Sequence, residues 1–170
     1  MPGSAPYWAL ALLFWIHMSA TVTWLGSLVA MAAMVLPAAG RALQPADRLS
    51  LVDQIRGRLE PITWLSVSIL IVTGLFQMSV NPHYDGFLST STQWSLAILI
   101  KHIFGIVMVV VSAIQTWEVI PAIRRAIIKS KKTNNRDEID SLRRKEVMLL
   151  RTNFGLSLLI LLATAFARAS

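Results

Sequence analysis

Two histidines lie inside apolar stretches of the sequence, where a polar and titratable ring is costly unless a partner satisfies it. His17 lies in IHMSATVTWLG (residues 16–26), and His102 lies in IKHIFG (residues 100–105). An ionisable residue at such a position is by default a functional-site hypothesis. Neutral imidazole binds iron, copper and zinc through a ring nitrogen. Metal or cofactor binding is therefore the chemistry that these two residues favour.

Four stretches that are almost free of charge must position the histidines: 8–36, 62–80, 94–120 and 147–167. Each is long enough to cross a hydrocarbon core, which needs about 20 helical residues. The chain is 55% hydrophobic and has no cysteine, which excludes disulfides and thiolate metal ligands. We predict an all-α membrane protein, a four-helix bundle that forms a single integral membrane domain over 1–170, with loops at 38–60 and 122–146.

The net charge of +7 follows the membrane topology. Four arginines lie between the first two helices, and ten Lys or Arg residues lie between helices 3 and 4 or at the edge of helix 4, whereas the 81–93 loop has none. This is the positive-inside pattern. It predicts a multi-pass protein of the cell membrane with cytoplasmic basic loops and both termini outside. Orientation explains the basic residues more simply than lipid-headgroup or protein binding, and we expect no nucleic-acid partner.

Two pairs of segments indicate an internal repeat. MVLPAAGRAL (34–43) resembles EVIPAIRRAI (118–127), and LSVSILIVTGLF (65–76) aligns without gaps to LSLLILLATAFA (156–167). The two histidines precede the prolines of the first pair by 20 and 19 residues. We interpret the chain as two helical hairpins that arose by duplication, related by an axis along the membrane normal.

The predicted helices place the two histidines at the same depth. His17 lies nine residues after Trp8 and His102 lies eight after Trp94, so both are ~12–14 Å from the outer boundary. Helices 1 and 3 of a four-helix bundle are diagonal, and a haem with one histidine on each side fits that span. Gly74 lies at the same depth and leaves room for a cofactor edge. Alternatively, each ring bonds only a hydroxyl or carbonyl group of a neighbouring helix.

Further residues of the spans have two interpretations each. Lys101 is the one cation inside a span; it either contacts an anion such as a haem propionate or extends toward the interface. Trp24 and Met31 follow His17 by 7 and 14 residues on nearly the same face. Trp24 lines a cofactor pocket or packs in the core. The Met31 thioether suits Cu(I) or fills a gap. His83, in the outer loop, is solvated or captures metal.

Several of these segments resemble a known family. HMSATVTWLGSLVAMAAMVLP, RGRLEPITWLSVSILIVTGLF, SLAILIKHIFGIVMVV and LRTNFGLSLLILLATAFARA resemble the four helices of CopD-type (copper resistance D) membrane domains. That resemblance implies copper uptake or tolerance. HemJ-type protoporphyrinogen oxidases are similar more distantly, and they imply haem b. His17 and Lys101 match both patterns, whereas His102 belongs to neither. Ala38 stands where HemJ-type proteins have arginine after Leu-Pro.

Three functions remain open on the sequence. The leading hypothesis is a CopD-like membrane protein that binds one haem b between His17 and His102, with Lys101, Trp24 and Gly74 contacting the cofactor. Such a protein serves electron transfer or sensing beside other membrane subunits or an electron-transfer partner, and is not expected to be an enzyme on its own. The first alternative is copper transport or homeostasis. The second is a cofactor-free structural subunit.

Overall fold

The computed structural model describes residues 6–81, 84, 86, 88–130 and 136–169. These residues form four long helices and no strand: α1 (Tyr7–Ala42), α2 (Pro45–Ser79), α3 (Gln93–Ser130) and α4 (Arg136–Ala169). Each helix is long and apolar enough to cross a membrane. The structure thus confirms the predicted all-α class with four membrane-spanning helices.

The helices extend well past the apolar stretches of the sequence. Only Leu43 and Gln44 separate α1 from α2, so most of the predicted 38–60 loop is helical. Pro45 starts α2 at the first helical position, where its fixed φ suits a helix and its missing N–H would have no intrahelical partner. Asp47 follows in the first turn and interacts favourably with the helix dipole. A charged helical segment outside the bilayer still forms its own backbone hydrogen bonds, and the helices therefore continue beyond the membrane interface.

Helices α1 and α3 each contain a π-helical segment at the same place relative to a proline. The segments are Ala30–Val35 in α1 and Gln115–Val119 in α3, and each ends two residues before Pro37 or Pro121. A proline removes one backbone donor and clashes with the carbonyl group one turn earlier. The wider π turn accommodates this defect without breaking the helix. Both prolines, which directly precede the predicted loops at 38–60 and 122–146, therefore lie inside continuous helices.

The chain divides into two compact units, Met1–Ser95 and Leu96–Ser170. Unit 1 contains α1 and α2, whose backbones approach closely along the hairpin. Unit 2 contains α4 and most of α3, and the close backbone approach between them lies in the Gln115–Ser130 part of α3. Each unit therefore contains one pair of antiparallel spans, as the two-hairpin interpretation requires.

The buried positions of α1 and α3 follow the same register. Five positions of α1 and their counterparts 84 residues later in α3 are all buried: Trp24 and Met108, Leu28 and Ser112, Met31 and Gln115, Leu36 and Ile120, Ala39 and Ile123. Large apolar residues on other faces are exposed, with Trp15 at 67% and Val72 at 68%. Such faces are expected to contact lipid, because a bilayer solvates apolar side chains as well as a protein core does.

The orientation of the spans is open to a direct test, because the chain has no cysteine. We expect a cysteine introduced at the exposed Thr90, before α3, to react with a membrane-impermeant maleimide on intact cells. A cysteine at the exposed Ser141, in α4, should react only after the cells are permeabilised. The opposite labelling pattern would show that the positive-inside assignment is wrong for this chain.

Candidate functional site

His17 is held by a hydrogen bond across the α1–α2 hairpin. Its Nδ1 lies 2.7 Å from Oγ1 of Thr73, and that hydroxyl donates its own hydrogen to the carbonyl oxygen of Ile69 at 2.6 Å. Since a threonine hydroxyl has one hydrogen, Thr73 accepts from His17, and Nδ1 carries the proton. In this neutral tautomer the lone pair that binds a metal or a proton is on Nε2.

Gly74 allows the His17 ring to lie against α2. A Cβ atom built on Gly74 would stand 3.4 Å from Cε1 of His17, which is van der Waals contact. A larger side chain would occupy the volume that the imidazole fills. The structure therefore brings His17, Thr73 and Gly74 together at one point of unit 1.

Trp24 and Met31 continue the His17 face of α1 toward its C-terminal end. Both are 6% exposed, and each step of seven residues covers ~10.5 Å along the helix. Nε1 of Trp24 is buried and has no hydrogen-bond partner among the described residues. Met31 lies within the π-helical segment of α1. This face thus combines a half-buried imidazole with a buried indole and a buried thioether.

His102 adopts the same tautomer in unit 2 by a different bond. Its Nδ1 lies 2.7 Å from the carbonyl oxygen of Ile98, one turn earlier in α3. A carbonyl oxygen can only accept, so Nδ1 carries the proton and Nε2 carries the lone pair. Histidines that bind metals through one nitrogen usually donate from the other to such an acceptor. Both histidines therefore have the bonding that a ligand needs, and each also has a polar partner without any metal.

The buried positions revise which residue of α3 corresponds to His17. Trp24 and Met108 are equivalent in the register of 84 residues, and His17 precedes the first by seven residues as Lys101 precedes the second. Lys101 is therefore the counterpart of His17, and His102 lies about 100° around α3. Both side chains are half-buried. The prolines are 84 residues apart and the histidines 85, so the sequence alone allowed either offset. A difference of one residue places the side chain on another face of the helix.

Sequence reasoning overlooked a polar pair inside unit 2. Nδ2 of Asn153 donates to Oγ of Ser112 at 2.9 Å, and Asn153 is completely buried. Its Oδ1 is buried and has no hydrogen-bond partner in the part of the chain that the structure describes. An asparagine in an apolar α4 was the available signal, but the sequence does not show which residue of α3 it meets.

No group of three or more His, Cys, Asp or Glu side chains close enough to hold a metal ion occurs among the described residues. His83, the predicted capture residue, lies outside those residues. A metal site formed by the described residues therefore uses at most two His, Cys, Asp or Glu ligands. Any further ligand is of another type, such as a thioether.

The comparison with protein-family models gives one match. Residues 53–167, about two thirds of the chain, match the family described as copper resistance protein D. The matched range contains Thr73, Gly74, Lys101 and His102 and starts after α1, which carries His17. Searches of curated proteins and of solved structures found no significant match.

The family description favours copper, our first alternative, over the haem hypothesis. It associates the membrane domain with copper resistance, and no finding supports haem b or electron transfer. The match also agrees with the four apolar helices found in the structure. The chain belongs to the copper resistance protein D family of membrane proteins.

Proposed function

We propose that this protein handles copper in the cell membrane, either as a transporter or in copper homeostasis, and that Nε2 of His17 binds the ion as cargo. The observation that carries the proposal is the hydrogen bond between His17 and Thr73, because Thr73 lies in the range that matches the copper-resistance family. Thr73 accepts a hydrogen bond from the N–H group at Nδ1, which leaves the lone pair on Nε2. An outer partner of this kind fixes the tautomer and orientation of a metal-binding histidine.

The α1 face provides the next contacts along the route. Met31 supplies a buried thioether, a soft donor that prefers Cu(I). Trp24, between His17 and Met31, presents an aromatic face that attracts a cation. His83 is proposed to capture copper in the outer loop, and His102, with its Nε2 lone pair, to offer a second imidazole. We keep the prediction that the protein works beside other membrane subunits.

Copper binding by the purified, full-length protein tests the proposal. We expect about one copper per chain under reducing conditions, and at least a 10-fold weaker affinity for His17→Ala, because the variant lacks the principal ligand. Met18→Ala is the matched control, since Met18 is the next residue on α1 and is 60% exposed. Its copper affinity should not change. Elemental analysis gives the stoichiometry, and competition with a coloured chelator gives the affinity.

An absorption spectrum of the same preparation distinguishes the other hypotheses. A Soret band that disappears in both His17→Ala and His102→Ala, with no copper bound, would overturn the copper proposal in favour of bis-histidine haem. A protein with neither haem nor copper would instead favour the structural subunit. In that last case, the roles that the sequence analysis predicts for Lys101, Trp24 and Gly74 beside a cofactor would be wrong.

A further inference from the structure

Arg151 is an arginine near the membrane edge of α4, and its side chain is exposed. It lies four residues past Val147, where the apolar stretch of α4 begins, which is ~6 Å along the helix. The positive-inside pattern explains basic residues outside the spans, but it does not require one on the exposed surface of the apolar stretch. A charge at such a position needs an anion or water, because hydrocarbon does not solvate it.

Arg151 belongs to a row of exposed residues along one side of α4, which we call the α4 stripe. Its members follow one another at intervals of three or four residues, and all are exposed: Arg144, Met148, Arg151, Gly155, Leu158 and Leu162. These positions fall within about 40° of one line along the helix. The opposite side of α4 is buried at Glu146, Asn153 and Ser157, and Asn153 bonds α3 from there. The α4 stripe therefore faces away from α3.

The α4 stripe changes from basic to apolar along the helix, as a phospholipid changes from headgroup to acyl chain. Arg144 and Arg151 occupy its basic end, and Leu158 and Leu162, which are 52% and 53% exposed, form its apolar end. Gly155 leaves a gap between the two ends, since nothing lies within 4 Å of the position that its Cβ atom would take. A phosphate group suits the basic end, and an acyl chain suits the gap and the leucines.

The acidic residues of unit 2 do not neutralise Arg151. Asp140 is the nearest acidic residue on the same side of α4, but it lies 11 residues earlier, or ~16.5 Å along the helix, which is too far for an ion pair. Glu146 is on the buried side of α4. Glu118 is exposed on α3 and does not pair with Arg151 in the part of the chain that the structure describes. The charge of Arg151 is therefore available to an anion from outside the chain.

We propose that the α4 stripe binds an anionic phospholipid, with Arg151 on the phosphate oxygens and an acyl chain over Gly155. Long helical side chains extend back toward the N-terminus of their helix, so Arg151 reaches toward the interface where the span begins. A guanidinium group donates two parallel hydrogen bonds to a phosphate. Arg144 and the exposed Lys145 add positive charge just outside the span, which favours a headgroup with net negative charge over a zwitterionic one.

Lipid binding by the purified, full-length protein in detergent tests this site, and native mass spectrometry counts the bound molecules. We expect one phosphatidylglycerol per chain, bound about 10-fold more tightly than phosphatidylcholine. Arg151→Gln should weaken phosphatidylglycerol binding about 5-fold, the contribution expected of one basic residue at an anionic surface. Arg41→Gln is the matched control, because Arg41 is also exposed and the variant removes the same charge from α1. Its phosphatidylglycerol affinity should not change.

Gly155→Leu tests the acyl-chain contact without a change of charge. The leucine side chain fills the gap in the α4 stripe, so phosphatidylglycerol binding should weaken in this variant as well. Gly26→Leu is its control, since Gly26 is an exposed glycine of α1 with equally open space at its Cβ position; its lipid affinity should equal that of the unaltered protein. Inorganic phosphate, which has no acyl chain, should not displace the bound lipid.

Several results would overturn the inference, and none of them depends on the proposed copper function. Equal binding of the two lipids would remove the preference for an anionic headgroup. Unchanged phosphatidylglycerol affinity in Arg151→Gln or in Gly155→Leu would show that the lipid lies elsewhere. Displacement by inorganic phosphate would indicate an anion site without a lipid, and stronger binding of an acidic peptide would assign the α4 stripe to a partner protein.

Discussion

Gly74→Leu is expected to reduce copper affinity by at least 10-fold, through a residue that offers no ligand of its own. A Cβ atom at this position would already lie 3.4 Å from Cε1 of His17. The branched end of leucine needs the volume of the imidazole itself, so the ring must turn away from Thr73. Loss of such an outer hydrogen bond typically costs 10–100-fold in metal affinity, and the overpacked hairpin should lose about 1–3 kcal/mol of stability.

Two glycine variants serve as controls for Gly74→Leu. In Gly74→Ala the new methyl group meets the ring at van der Waals distance, so binding should stay within about 3-fold of the unaltered protein. In Gly26→Leu the side chain enters open space, because nothing lies within 4 Å of its Cβ position. The measurement is Cu(I) competition, with thermal unfolding in detergent alongside. Equal affinity of Gly74→Leu and the unaltered protein would contradict a role for the His17–Thr73 bond.

Asn153→Asp is expected to produce the largest loss of stability. The change conserves shape and places a carboxylate where the side chain is completely buried and touches the Ser112 hydroxyl. A charge inside a transmembrane helix costs about 3 kcal/mol on insertion scales. Thermal unfolding in detergent micelles should therefore show a clear decrease in the melting temperature of this variant.

Asn153→Leu is the matched comparison for the aspartate variant. It removes one interhelical hydrogen bond, which is worth about 0.6 kcal/mol on average in membrane proteins, and it leaves no buried Oδ1 without a partner. Its melting temperature should fall much less than that of Asn153→Asp. Equal melting temperatures of the two variants would indicate that position 153 is hydrated, against the burial seen in the structure.

Several features could be predicted from the sequence because they depend on local composition. The four spans follow from runs of apolar residues, since a bilayer requires each buried backbone group to bond within its own helix. The choice of His17 as a candidate ligand follows from one polar ring in an apolar run. The repeat was visible in the prolines at 37 and 121, although the sequence does not show that each proline is accommodated by a π turn.

The sequence alone could not determine which residue of α3 is equivalent to His17. Spacing along a helix determines depth to within a residue, but one residue also rotates a side chain by about 100°. The choice between Lys101 and His102 as the counterpart of His17 therefore required the buried positions of α1 and α3. No role of Asn153 follows from the sequence, because its partner Ser112 on α3 has no sequence signature.

The sequence by itself determined the class of this protein: a cysteine-free chain of four apolar helices, with basic residues on one predicted side and resemblance to copper resistance D domains. Only the tertiary structure decided which ring nitrogen of His17 is left with the lone pair for the proposed ion. That choice depends on Thr73, 56 residues away, whose hydroxyl oxygen accepts a hydrogen bond from Nδ1 because its own hydrogen is donated to the carbonyl oxygen of Ile69. The four spans follow from the summed hydrophobicity of neighbouring residues. The tautomer of His17, in contrast, depends on one contact between residues that are far apart in the sequence.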